Sequence, residues 1–125
     1  MKCKITARAR VNPTEDLDKV ITTISNIFKF DELEIGEGYV SMTGEMDSLL
    51  DLRESLKNRK IRDTAQRIFL NGTEGNKITF SLSKQAAYVS VPNLVDSEMS
   101  ALGEIEVTIE TDDVEGFIEW MTAKS

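Results

Sequence analysis

Hydrophobic and polar positions alternate from the first residues of the chain. Cys3, Ile5, Ala7, Ala9 and Val11 fall on one side of an extended segment, and Lys2, Lys4, Thr6, Arg8 and Arg10 fall on the other. This is the period-two signature of a half-buried strand, here with a basic outer face. The spacing then changes. Leu17, Val20, Ile21, Ile24, Ile27 and Phe28 recur at helical intervals and cover an arc of about 120° at 100° per residue. Asn12, Pro13 and Glu15 suit the start of that helix as cap, first-turn proline and capping-box acid.

Residues 32–35 and 39–43 form two short runs around Gly36-Glu37-Gly38, which reads as a hairpin. The glycines are turn residues. A phosphate cradle would add a lysine and a hydroxyl residue opening a helix, and neither follows here. Helical spacing returns from residue 47 to 70, but not as one straight helix. Leu49, Leu52 and Leu56 point one way, while Ile61, Ala65, Ile68 and Phe69 lie roughly 150° round. A joint is therefore expected at residues 57–60, where Asn58 weakens the helix and little is available to bury. Asn71-Gly72-Thr73 is expected to end the second helix through a residue that tolerates positive φ.

Beyond it, residues 77–84 alternate with Ile78, Phe80 and Leu82 inward, and residues 86–91 read as a partner strand after a bend at Lys84-Gln85. Pro92 marks a strand end or an edge. Residues 97–103 read as a loop. Residues 104–110 alternate again, and a last helix carries Val114, Phe117, Ile118 and Met121 as its core stripe, with Trp120 on the flank. The order is strand, helix, two strands, paired helices, two strands, strand, helix. It predicts an α+β fold in a single domain over residues 1–125, with a mainly antiparallel or mixed sheet of about five to six strands and helices packed on one face.

Composition narrows the chemistry. The chain of 125 residues has no histidine, so histidine-based triads and zinc hydrolases are excluded. Its one cysteine, Cys3, excludes a disulfide framework and reads as a small buried hydrophobe. No apolar run is long enough for a membrane span or signal peptide, and the expected location is cytoplasmic. No cofactor or metal is implied. Asp112-Asp113 with Glu115, and Asp16 with Asp18, are paired carboxylates that helix amino termini favour in any case.

Charge is the informative feature. Arg53, Lys57, Arg59, Lys60, Arg62 and Arg67 lie in one fifteen-residue window with only Glu54 and Asp63 against them. The window carries net +4 in a chain of net −7, leaving −11 for the rest. Residues 85–123 hold nine acids and no base. An island of bases in a repelling background can hold a polyanion; the plainer reading is a solvated helix face with local ion pairs. Arg8, Arg10, Lys77 and Lys84 would extend the patch if their strands lie beside the joint. Few aromatics accompany these bases, with Tyr39 and Tyr88 the rings expected at the surface, so backbone phosphate or the shape of a folded RNA suits the composition better than base stacking.

The motifs Asn-Pro-Thr-Glu-Asp at 12–16, Ile-Arg-Asp-Thr-Ala at 61–65, Lys-Gln-Ala-Ala at 84–87 and Leu-Gly-Glu-Ile-Glu-Val-Thr-Ile at 102–109 span nearly the full length. In combination they resemble the archaeal uncharacterised protein family numbered two hundred and one. The resemblance implies an archaeal cytosolic protein with a fold like that of the ribosomal protein that binds the smallest ribosomal RNA. It also implies predicted RNA binding, with a link to the exosome. Carried onto this chain, it points to Arg62 and Asp63 in the second motif and to Lys84 and Gln85 in the third. Ser83 and Gln66 depart from the asparagine and arginine expected there, which trims positive character. Arg62-Asp63 and Lys84-Gln85 equally suit a structural role, holding the helix junction and a strand end.

The expected function is a non-catalytic protein that contacts structured RNA through Arg59, Lys60 and Arg62, with Arg53, Lys57, Arg67, Lys84 and Gln85 assisting. The rival is a protein-interaction or assembly subunit without nucleic-acid binding. Expected partners are structured RNA, proteins of RNA processing and, through an exposed sheet edge, a second copy of the chain.

Overall fold

The computed structural model describes residues 2–58, 61–95 and 104–122. The loop expected at 97–103 and the bases Arg59 and Lys60 lie outside the described residues. The first strand, β1 (Cys3–Arg10), is followed by helix α1 (Leu17–Ser25) and the hairpin β2 (Glu32–Gly36) and β3 (Tyr39–Gly44). A 3₁₀ turn at Met46–Leu49 leads into α2 (Leu50–Asn58), then α3 (Arg62–Asn71). The chain continues through β4 (Thr73–Glu74), β5 (Lys77–Ser83), α4 (Lys84–Tyr88), β6 (Leu94–Val95), β7 (Glu104–Thr111) and α5 (Val114–Met121).

The sheet has the order β2-β3-β1-β7-β5-β4, with β6 beside β4 along the same edge of β5, and each pairing is antiparallel. The architecture is α+β, as the element order predicts. Among the described residues the strands number seven, because β4 and β6 are two residues each, too short for alternation to reveal. Period-two patterning fixes which face is covered. Ile5, Ala7 and Ala9 of β1, Val40 and Met42 of β3, Ile78, Phe80 and Leu82 of β5, and Ile105, Val107 and Ile109 of β7 are buried in one core with Ile24, Leu52, Leu56, Phe69 and Phe117 from the helices. Phe69 is at its centre, 4.9 Å from the Phe80 ring and 6.5 Å from the Phe117 ring.

Four local expectations are corrected. Helix α1 begins at Leu17, with Asp16 as the cap accepting from the Asp18 N–H. Asn12 and Glu15 make one half of a capping box, Glu15 Oε1 accepting from Asn12 N–H at 3.0 Å, but the Glu15 N–H donates to the Asn12 backbone carbonyl at 2.9 Å and closes a turn before the helix. Helix α1 also stops at Ser25, so Ile27 and Phe28 enter the core from beyond its end.

Residues 84–88 form helix α4 where a strand was expected. Ser83 caps it, its Oγ accepting from the Ala86 N–H at 3.2 Å, and Lys-Gln-Ala-Ala is a good helix-forming sequence. The helix closes with Ser90 N–H to the Ala87 carbonyl and Val91 N–H to the Ala86 carbonyl, both 2.9 Å, with Ser90 at φ +62°. That is a Schellman ending with serine in the position glycine usually fills.

Gly72 follows α3 at φ −90°, so positive φ is not what it supplies. It supplies room: a Cβ there would collide with the carbonyl oxygen of Thr79, whose own N–H donates to the Gly72 carbonyl at 2.9 Å. In the β2–β3 turn, by contrast, Gly38 does adopt φ +79°. Cys3 is partly buried against the core. No helix among the described residues is long and apolar enough to cross a membrane.

Candidate nucleic-acid interface

The basic island straddles the junction between α2 and α3. Helix α2 ends at Asn58 and α3 begins at Arg62, and the apolar residues of both, Leu52 and Leu56 with Ala65, Ile68 and Phe69, are buried in the one core. Ile61 N–H reaches the Leu56 carbonyl at 3.4 Å, and Ala65 N–H reaches the Ile61 carbonyl at 2.9 Å to begin α3. Ile61 caps α3 without any side-chain hydrogen bond, while Asp63 occupies the first turn, where an acid suits the helix dipole.

Lys57 lies in the last turn of α2 and is partly exposed; Arg62 opens α3 and is also partly exposed, and Arg67 lies on the exposed side of α3 with Asp63 and Gln66. Arg53 is committed elsewhere. Its Nε donates to the Trp120 carbonyl at 2.7 Å and its guanidinium sits 5.1 Å from the Trp120 ring centroid, so it fastens α2 to α5. The flanking position assigned to Trp120 thus has a partner.

Lys84 is not part of this surface, which corrects its assignment as a phosphate contact. It is 8 % exposed, and its Nζ donates to the Arg10 carbonyl at 2.6 Å and to Glu15 Oε1 at 2.8 Å. An ammonium enclosed this way ties the start of α4 to the end of β1 and to the turn after it. Burial raises the pKa of Glu15, but the hydrogen bonds from Lys84 and from the Asn12 backbone and side chain, with the Lys84 charge, outweigh it and hold the carboxyl below its ordinary value. Gln85, next along α4, is exposed.

Arg8, Arg10 and Lys77 do not extend the island either. They alternate with the buried Ala7, Ala9 and Ile78 and so project from the sheet face opposite the helices. Arg8 lies 4.0 Å from the Tyr39 ring centroid, with Glu106 across from it in β7. Lys77 approaches Glu110 at 3.9 Å with both side chains about half exposed, a surface pair of small energetic weight. Of the two rings expected outside, Tyr88 is exposed and Tyr39 is partly covered.

The paired carboxylates act as helix and loop acceptors. Asp16 and Asp113 cap α1 and α5, and Asp112 Oδ1 accepts from the Lys2 N–H at 3.0 Å. Among the described residues no group of three or more cysteines and carboxylates is placed to hold a metal ion. A shallow groove of about 730 Å³ bordered by Lys2, Lys4, Glu45 and Glu110 takes no residue from the island.

Glu15 and Trp120 are the partners that sequence reasoning missed as partners. Neither carries a signal, because Glu15 meets Lys84 and Trp120 meets Arg53 across 69 and 67 residues of chain.

A family model described as RNA binding matches residues 4–111. The UPF0201 protein of Methanothermobacter thermautotrophicus is 39 % identical over 118 residues, covering 94 % of this chain and 89 % of the relative. A crystal structure of an uncharacterized UPF0201 protein superposes with a TM-score of 0.82 at 35 % identity, covering 98 % of this chain and 94 % of that one. The UPF0201 protein of Methanococcus jannaschii superposes with a TM-score of 0.76 at 30 % identity, covering 95 % and 98 %. The fold, the four sequence motifs and these matches agree, and the chain belongs to the archaeal UPF0201 family.

Proposed function

We propose that this protein is a non-catalytic module that binds structured RNA through backbone phosphates at the α2–α3 junction. The observation that carries the reading is a basic island of net +4 in a chain of net −7 whose family model is described as RNA binding. Lys57 lies in the last turn of α2 and Arg62 opens α3, and the sequence between them adds Arg59 and Lys60. The α3 amino terminus, whose cap residue makes no side-chain hydrogen bond, adds backbone N–H groups and the positive end of a helix dipole. Arg67 lies further along α3. Arg53 serves mainly to hold α2 in place, and Gln85 has no charge to offer a phosphate. Carboxylates over the rest of the surface limit the footprint and keep non-specific attraction low.

Fluorescence anisotropy with a structured and a single-stranded RNA, over a salt series, tests the reading. About three to five phosphate contacts predict that log affinity for the structured RNA falls with log salt at a slope of roughly −3 to −4.5. The Arg59, Lys60, Arg62 triple-alanine variant should lose that binding. Absence of binding at low salt would end the proposal for the chain on its own. Unchanged binding by the variant would move the interface to another face.

A further inference from the structure

The sheet ends on β2. β3 takes one side of this strand, and among the described residues no strand lies on the other. Edge strands present unpaired N–H and C=O groups, and proteins ordinarily keep them short, charged or covered. β2 is charged on one face only. Glu32 and Glu34 project on the side of Thr43 and Ser41, away from the helices. On the helix side, Leu33 and Ile35 are 40 % and 54 % exposed, although Met42 and Val40 opposite them are buried. The apolar layer of the sheet therefore runs out past its cover. Residues 31–37 contain four carboxylates and no base, and Lys29 is the nearest base in sequence.

We infer that β2 is a docking edge for an extended segment of a partner protein in which apolar and basic residues alternate. Added as a further antiparallel strand, such a segment would satisfy the free backbone groups of β2. Its apolar residues would cover Leu33 and Ile35, and its bases would face Glu32 and Glu34 from the adjoining positions. The complementarity follows from the period of two, because one strand offers both patterns at once. A second copy of this chain fits less well, since the register that pairs the whole of β2 is centred on Glu34. Antiparallel pairing of β2 with itself about Leu33 sets Glu32 of each copy against Glu34 of the other, and pairing about Glu34 sets Glu34 against its equivalent. Like charges directly opposite destabilise a strand pair. The same four carboxylates disfavour a nucleic acid on this edge.

Two-dimensional amide NMR of the full chain, titrated with a peptide of alternating lysine and valine matched in length to β2, gives the test. A control peptide of the same composition has its lysines and valines in separate blocks, and another is N-methylated at alternate amides to remove the donors facing β2. The expected result is chemical-shift change concentrated on β2. Affinity should fall by about tenfold or more for each control, the scale of losing one or two interactions. The double variant Glu32→Lys/Glu34→Lys should lose the lysine peptide and gain an alternating glutamate–valine peptide, with an unchanged spectrum of the core confirming its fold. Equal affinity for the blocked and alternating peptides, or shifts spread over the other acidic surfaces, would overturn the proposal. So would sedimentation of the unliganded chain as a dimer that Ile35→Lys dissociates, since the edge would then belong to a second copy.

Discussion

Replacement of Lys84 by methionine separates the two roles this lysine has been given. Methionine keeps an unbranched apolar side chain in a position that is 8 % exposed and removes only the ammonium. The Arg10 carbonyl then loses its 2.6 Å donor, and Glu15 loses its 2.8 Å partner. A buried acceptor left without a donor costs about 1–3 kcal/mol. Removing one member of a fully buried ion pair costs about 3–5 kcal/mol. The second figure is reduced here, because the Glu15 side chain is 21 % exposed and still accepts two bonds from Asn12, at 3.0 and 2.7 Å.

The expected loss for Lys84→Met is therefore about 2–4 kcal/mol in a chemical denaturation curve. At this chain length that is a fall in Tm of roughly 8–15 °C. RNA affinity, measured well below the transition, should be unchanged. A loss under about 0.5 kcal/mol, the scale of ordinary surface substitutions, would refute the enclosed ion pair. Weakened RNA binding at unchanged stability would return Lys84 to the binding surface.

Glu15→Gln should flatten the acid limb of the stability profile. Its carboxyl is held below its ordinary value of about 4.5, so its contribution is present above that value and is lost as pH falls through the lower folded one; urea midpoints from neutral to acid pH would show the difference. Arg53→Ala should cost about 1–2 kcal/mol through the lost hydrogen bond and cation–π contact. Because Trp120 is the only tryptophan, its emission should report the same change directly. Gly72→Ala should cost about 1–3 kcal/mol by denaturation, since backbone rather than a movable side chain meets the new methyl.

Most of the sheet and the long helices were legible in the sequence because they obey one period at a time. β1, β3, β5 and β7 alternate cleanly, and the phase jump between Leu56 and Ile61 marks a break between α2 and α3. Helix α4 was illegible for a physical reason: five residues do not make enough turns for a helical stripe. Its stop is a serine at positive φ, which gives no glycine to read. The start of α1 was misplaced because Asn12 to Glu15 satisfies its own hydrogen bonds in a turn, the same pattern that opens a helix.

The candidate site divides along similar lines. Clustering in sequence located the island, since residues near a helix junction stay near one another when folded. Which bases face solvent was not legible. Lys84 and Arg53 look alike as cations until their distant partners, Glu15 and the Trp120 carbonyl, are in place. The four stray bases failed to join the island for a simpler reason. Arg8, Arg10 and Lys77 belong to the opposite sheet face by parity alone, and Lys84 turned inward at the strand end.

The position of β7 has a consequence for how the chain acquires its shape. β7 lies between β1 and β5 and pairs with both, Ile5 with Ile109 and Phe80 with Val107. The middle of the sheet is thus closed by a strand that follows its partner β1 by about a hundred residues, Ile5 pairing with Ile109. Without β7, β1 and β5 each keep one unpaired edge, although β3 pairs the other side of β1 and β4 and β6 the other side of β5. Contacts of such long sequence separation slow folding toward the millisecond-to-second range. The waiting strands are also open to wrong partners. The apolar faces of β1 and β5 become one continuous layer only when β7 lies between them.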